Sequence, residues 1–192
     1  MTNQLGFLIE QNRCMGCKTC QIACKDFNDL EIGLNFRIVI EHEGGDYFSE
    51  GEGLNNTVFA FWLSLACNHC ADPACVKNCP TGAMYKEPEN GLVLHQDRVC
   101  IGCQICVWSC PYEAPKFDKN KGVVRKCDYC IKLLTQGKDP ICVSSCPTRA
   151  LHAGKIEDLK LIFENLPKPN SLINQDITHP SLIIYPHKRA IK

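Results

Sequence analysis

Cys100-Ile101-Gly102-Cys103-Gln104-Ile105-Cys106-Val107-Trp108-Ser109-Cys110-Pro111 sets four thiols two, two and three residues apart and closes on a proline. Three further runs share the design: Cys14-x2-Cys17-x2-Cys20-x3-Cys24 and Cys67-x2-Cys70-x4-Cys75-x3-Cys79-Pro80 before it, and Cys127-x2-Cys130-x11-Cys142-x3-Cys146-Pro147 after it. All 16 cysteines fall in these runs and none is left over. That is an internal repeat, and it outweighs every other signal in the 192 residues.

Cysteine at this density is either a disulfide scaffold or a set of metal ligands. Bridges across such short gaps would close small loops, gain little and carry strain, so the spacing supports metal. Structural zinc ordinarily takes two separated Cys-x2-Cys pairs. Three close thiols with a displaced Cys-Pro instead fit an iron–sulfur cubane. Aromatic residues make up only 8% of the chain, so metal cross-links would supply much of the core, and the apoprotein is expected to be largely unfolded. The formal charge of zero, from 21 basic and 21 acidic residues, treats every thiol as neutral. Thiolate-ligated clusters would make the loaded protein anionic, and nothing suggests a nucleic-acid partner.

Each run resembles half of a bacterial two-cluster ferredoxin, in which the fourth cysteine ligates the other run's cluster. That rule gives four [4Fe-4S] sets: the first is Cys14, Cys17, Cys20 and Cys146; the second Cys24, Cys127, Cys130 and Cys142; the third Cys79, Cys100, Cys103 and Cys106; the fourth Cys67, Cys70, Cys75 and Cys110. The expected class is α+β, with nested ferredoxin-like units, an inserted β segment and an extended C-terminal tail. Residues 1–35 and 120–155 would form a discontinuous outer unit, 66–119 an inner unit, 36–65 the insertion, and 156–192 a helix and partner-docking tail.

Short helices are expected after the third cysteine of each run, ended by proline in Pro80-Thr81-Gly82-Ala83-Met84, Pro111-Tyr112-Glu113-Ala114-Pro115 and Pro147-Thr148-Arg149-Ala150-Leu151. Cys24 is followed by Lys25, which predicts a longer first helix entering Asp26–Leu34. Strands are predicted at Gly6–Glu10, Phe36–Glu41, Val58–Leu65, Leu92–His95 and Leu182–Tyr185, and an amphipathic helix at Ile156–Asn165. Ile22, Val76, Ile101, Ile105, Val107 and Ile131 could shield sulfide or simply pack. Lys18, Lys25, Arg98 and Lys126 sit beside ligands and could offset thiolate charge, although solvated lysines and arginines are the commoner case. His69 reads as a hydrogen-bonding neighbour, and His179 and His187 as surface residues of the tail. Phe59, Phe61 and Trp62 suit a docking face or a buried aromatic strand equally. No nucleophilic triad, phosphate loop or dinucleotide fingerprint is present, so no catalytic chemistry is expected of this chain.

Beyond the runs, the chain resembles the four-cluster iron–sulfur subunit of the molybdopterin oxidoreductases, and most closely that of bacterial dimethyl sulfoxide reductase. The likeness rests on Gly6-Phe7, Arg13-Cys14 through Cys24-Lys25-Asp26, Gly44-Gly45-Asp46, Val58-Phe59-Ala60, Cys67-Asn68-His69-Cys70, Asp72-Pro73-Ala74-Cys75 and Pro140-Ile141-Cys142 through Cys146-Pro147. The resemblance implies a non-catalytic electron relay of anaerobic respiration, between a quinol-oxidising integral membrane anchor and a molybdopterin-containing catalytic subunit that reduces a sulfoxide or N-oxide. It further implies that the first set lies nearest the molybdenum subunit and the fourth nearest the anchor. Relatives with Trp at the position of Cys103 build a three-iron cluster there; Cys103 implies four cubanes.

The alternatives are the same relay in a polysulfide, thiosulfate or tetrathionate reductase or a formate dehydrogenase, or a stand-alone polyferredoxin. Met1–Gly6 has no basic region leading into an apolar one, so no signal peptide is expected. Association with the membrane would come through a partner, on the periplasmic face of the bacterial cytoplasmic membrane or alternatively on the cytoplasmic face.

Overall fold

Each of the four cysteine-run helices begins one residue before its third cysteine, not after it: α1 is Thr19–Phe27, α2 Ala74–Lys77, α3 Ile105–Ser109 and α5 Ile141–Ser144. A computed structural model describes residues 3–51, 53–162 and 175–190. The repeat enters its helices in two ways. In the first and third runs Lys18 and Gln104 stand left-handed at the N-cap, with φ of 60° and 61°, while the second and fourth use Pro73 and Pro140. In α1 three intervening residues put Cys20 and Cys24 on one helical face, about 6 Å apart along the axis, while Cys79, Cys110 and Cys146 follow just past the ends of their shorter helices. The helices pack in pairs, α1 against α5 and α2 against α3.

Around these pairs lie short antiparallel ribbons. The second run leads into β6 (Met84–Lys86), which pairs with β7 (Val93–His95), and the third leads into β8 (Lys116–Asp118), which pairs with β9 (Val123–Arg125). The long gap of the fourth run holds α4 (Ile131–Leu134). β1 (Leu5–Glu10) is the middle strand of the one three-stranded sheet among the described residues, antiparallel to β10 (Leu151–Lys155) and parallel to β11 (Leu182–Tyr185). Phe7, Leu8 and Ile9 are all buried, as a strand covered on both faces requires.

The insertion is a two-stranded ribbon, β2 (Ile38–Gly44) against β5 (Phe59–Leu65), tipped by the hairpin of β3 (Tyr47–Glu50) and β4 (Gly53–Asn56). β2 thus starts two residues later than expected, because Phe36 and Arg37 turn into the interior. The hairpin, the ribbon strands β6, β8 and β9, and β10 were not foreseen. Three residues are too few to display alternation. Ile156–Ile162 forms α6 with Leu159 buried; the remainder of the expected helix, to Asn165, lies outside the described residues.

In its described part the tail is laid on the chain itself. It comprises α7 (Gln175–Thr178) and β11; Ala71 and Asp72 donate backbone N–H to His179 O and Thr178 O at 2.8 and 3.0 Å, and Ser181 N–H donates to Asn68 O at 2.9 Å. His179 is exposed as expected, but His187 is half-buried and stacks on Phe61 at 5.4 Å between ring centroids. His42 stacks on Phe61 too, at 5.1 Å. The aromatic residues of β5 therefore face inward at Phe61, as the buried-strand alternative had it.

Candidate metal centres

Left-handed residues recur at fixed offsets in the runs. Gly16 and Lys18 in the first, with φ of 71° and 60°, match Gly102 and Gln104 in the third, with 67° and 61°. Alternation of this kind turns successive backbone N–H groups toward one concavity, which suits an anion. Three residues beyond the fourth cysteine the chain is left-handed again, at Gly82 (69°), Glu113 (51°) and Arg149 (54°), although only one of these is glycine. The turn after Cys-Pro is thus a repeated backbone device, and in its absence after Cys24 α1 continues to Phe27.

The cysteines gather in fours. Cys14, Cys17, Cys20 and Cys146 line one cleft, and Cys79, Cys100, Cys103 and Cys106 line another. Burial pushes Cys24 up to about 12, with Cys142 and Cys130 adding to it and Arg37 opposing. Cys75 is likewise pushed up to about 12 by burial, then by Cys67, Cys110 and Cys70 against Lys126. Thiols this buried and this close to one another would stay protonated alone; a bound cation is what would make them thiolates.

Amides and hydroxyls meet the sulfurs. Met84 N–H donates to Cys79 Sγ at 3.4 Å and Ala150 N–H to Cys146 Sγ at 3.3 Å. Burial raises both thiols, but these bonds and those of Thr81 and Thr148 outweigh it and leave both below the ordinary value. Thr19 donates to Cys17 Sγ at 3.3 Å, and Ser64 Oγ stands 3.3 Å from Cys20 Sγ. Among the described residues no three His, Cys, Asp or Glu side chains converge on a single-ion position. Four thiols lining one cleft, with backbone and hydroxyl donors to their sulfurs, are the donor set that an iron–sulfur cluster takes.

The fours adjoin one another. Cys20 feels Cys142, which ties the first set to the second, and Cys127 feels Cys24, Cys67 and Cys142, which ties the second to the fourth. α2 carries Cys75 and leads to Cys79 two residues past its end, α3 carries Cys106 and leads to Cys110 at its C-cap, and the two helices pack together, which ties the fourth set to the third. The order is therefore first, second, fourth, third. The resemblance puts the fourth set nearest the anchor; in this fold Cys67 of that set is within electrostatic reach of Cys127, and it is Cys103 of the third set that is exposed. Cys17 is exposed at the opposite end.

Other expectations divide. Lys18 and Arg98 are exposed, and Lys25 fastens a loop by donating to Glu31 O and Leu34 O. Only Lys126 of the four cations is buried. Ile22, Ile101 and Ile105 are exposed, although Ile101 lines the cleft of the third set, whereas Val76, Val107 and Ile131 are half-buried. His69 is fully buried; its Nδ1 accepts from Val93 N–H at 3.0 Å, which leaves Nε2 a buried donor without a partner. Sequence reading missed Arg37 and Ser64. An arginine flanked by Phe36 and Ile38 was the available signal, but no cysteine lies near it in sequence.

Residues 58–156 match the family described as 4Fe-4S dicluster domain. Over 190 residues the chain is 46% identical to the B component of the anaerobic dimethyl sulfoxide reductase of Escherichia coli (strain K12), covering 99% of this chain and 92% of that one. The corresponding component of the Haemophilus influenzae reductase is 44% identical over 188 residues, 97% and 91% of the two lengths. The thiosulfate reductase electron transfer subunit of Salmonella typhi is 37% identical over 162 residues, 84% and 81% of the two.

Proposed function

Because this protein belongs to the family of iron–sulfur electron-transfer subunits of the dimethyl sulfoxide reductase type, we propose that it passes electrons through four [4Fe-4S] clusters held by the four cysteine sets. It is a non-catalytic electron carrier of a molybdopterin oxidoreductase complex. Its partners are a molybdopterin catalytic subunit and a quinol-oxidising membrane anchor. The substrate reduced is a sulfoxide or N-oxide. The single observation that carries the reading is the gathering of 16 cysteines into four fours that adjoin in one file.

Bound clusters would supply one-electron redox chemistry. The chain's part is to fix their separation and exclude water. α1 carries Cys20 and Cys24 of two sets about one helical turn apart, and α2, α3 and α5 each carry one cysteine and lead within two residues to the next, so neighbouring sites are held at short range. The outer unit is residues 1–35 with 120–155, the inner unit 66–119, and the pairing of α1 with α5 and α2 with α3 supports the division.

The ends of the file are where partners belong. Around the exposed Cys103 lie Ile101, Ile105 and Trp108, the last 86% exposed; around the exposed Cys17 lie Met15 and Ile22. Apolar patches that rim a terminal site are docking surfaces. We assign the Trp108 end to the anchor and the Met15 end to the catalytic subunit. Among the described residues no helix is long and apolar enough to cross a membrane, so membrane association comes through the anchor, on the periplasmic face. Anaerobic redox titration with paramagnetic resonance on the purified complex, with iron and molybdenum quantified, tests the reading. Four interacting cubane signals with molybdenum are expected; clusters without a molybdenum partner would favour a stand-alone polyferredoxin.

A further inference from the structure

Two cations are buried inside this file, and among the described residues neither forms a salt bridge with a carboxylate. Arg37 is 1% exposed and Lys126 5%. Arg37 Nη1 donates to Ser64 O and Ser64 Oγ, both at 3.1 Å, and its guanidinium carbon lies 4.8 Å from the Phe7 ring centroid. Nε and Nη2 have no partner. Facing the guanidinium are Cys142, Cys127, Cys20 and Cys24, which belong to the first and second sets. Lys126 Nζ donates to Val93 O and, at 2.8 Å, to Cys127 O, and it faces Cys75, Cys110 and Cys127 of the fourth and second sets. A buried charge with unpaired donors is untenable unless an anion completes it. Among the described residues no salt bridge completes either cation, and a thiolate-ligated cluster is the anion that the facing cysteines would supply.

We infer that Arg37 and Lys126 are the charge-setting residues of the relay, Arg37 between the first and second sets and Lys126 between the second and fourth, each raising the reduction potential of the two sites it separates. The inference rests on the relay proposed above. Each hop moves one electron from a donor site to its neighbour, adding one negative charge to the second and removing one from the first, with no bond made or broken. Burial opposes the more negative, reduced form, so the middle of the file would otherwise be a barrier between two solvent-exposed ends. A fixed cation shared by two sites offsets that cost on both, and the step between them stays nearly level. Ser64 serves as a positioning residue, since it accepts from Arg37 and remains free to donate to Cys20 Sγ.

The test is a potentiometric titration with paramagnetic detection on the purified complex, comparing wild type with Arg37→Gln, Arg37→Lys, Lys126→Gln and Lys126→Arg, with iron measured in each. In Arg37→Gln the ratio of reduced to oxidised sites in the first and second sets falls about tenfold at fixed potential, equivalent to 59 mV for one electron. The third set stays put. Lys126→Gln moves the second and fourth sets in the same way, and the charge-keeping variants stay within about threefold of wild type. Iron-replete neutral variants with unchanged ratios, or Gln and charge-keeping variants that shift alike, would overturn the inference. Should the neutral variants lose iron, retention in Arg37→Lys and Lys126→Arg still supports a charge role, and loss in all four shows packing alone. Absence of cluster signals in the wild type would instead remove the relay itself.

Discussion

The indole of Trp62 closes over Gly16 so tightly that a Cβ on Gly16 would stand 2.5 Å from Nε1. The contact ties β5 of the insertion to the loop between Cys14 and Cys17, and Gly16 also needs its φ of 71°. Gly16→Ala combines a left-handed alanine, about 1–2 kcal/mol, with a collision that pushes the loop or the indole aside. We expect selective loss of the first cluster, seen as one missing resonance signal while the other three persist. Full occupancy of all sites in this variant would show that the Trp62 lid has no bearing on the loop.

Cys103 is the exposed ligand at the far end of the file. Cys103→Ser removes an exposed thiol of the third set, which should then lose about one iron and become a three-iron cluster. Iron analysis and the change of spin state check it. Collapse of all four signals would mean that the third set is structural to the whole chain.

The runs were legible because thiol spacing is a local signal: the α+β class and the longer first helix could be read directly. The order of the sets was not, since it depends on Cys67 meeting Cys127, sixty residues on and fixed only by how the units nest. Arg37 was invisible for the same reason: Phe36-Arg37-Ile38 reads as a strand with one outward cation, yet the chain turns at Arg37 and buries it. Lys126 stood next to Cys127 and could be named, but burial alone distinguishes it from Lys18.

Thr178 couples the tail to the fourth set. Its hydroxyl lies 2.9 Å from Tyr112 Oη and also bonds the Cys70 thiol, which burial first of all pushes up to about 11 and Thr178 draws back. Thr178→Val keeps the shape and removes the hydroxyl. Stability should fall by about 1 kcal/mol, and the fourth site's potential should fall because a donor to sulfur is lost. Chemical denaturation and a redox titration read the two effects separately, and an unmoved potential would assign Thr178 to packing.

Trp108 projects from α3 beside the third set with 86% of its surface exposed. If this is the anchor's contact, Trp108→Asp weakens the complex at least about tenfold, by analogy with aromatic hot spots, while leaving the iron content intact. Co-purification with the anchor and quinol-driven cluster reduction report the loss. Unaltered assembly would move the docking surface elsewhere on the chain.

Metal removal is the broadest prediction, and it follows from what the core is made of. Cys20, Cys24, Cys67, Cys127, Cys142 and Cys146 all sit in the larger buried cluster, together with aliphatic side chains and three aromatic rings, Phe7, Phe36 and Tyr129. Six of its buried members are thus candidate ligands, so extracting iron leaves their thiols facing one another and Arg37 without an anion. Binding energy of this kind is folding energy. Anaerobic chelation should therefore abolish the cooperative thermal transition and the near-ultraviolet dichroism together, with iron loss and unfolding following one time course. A chain that kept its tertiary signal after complete iron removal would show that apolar packing alone suffices.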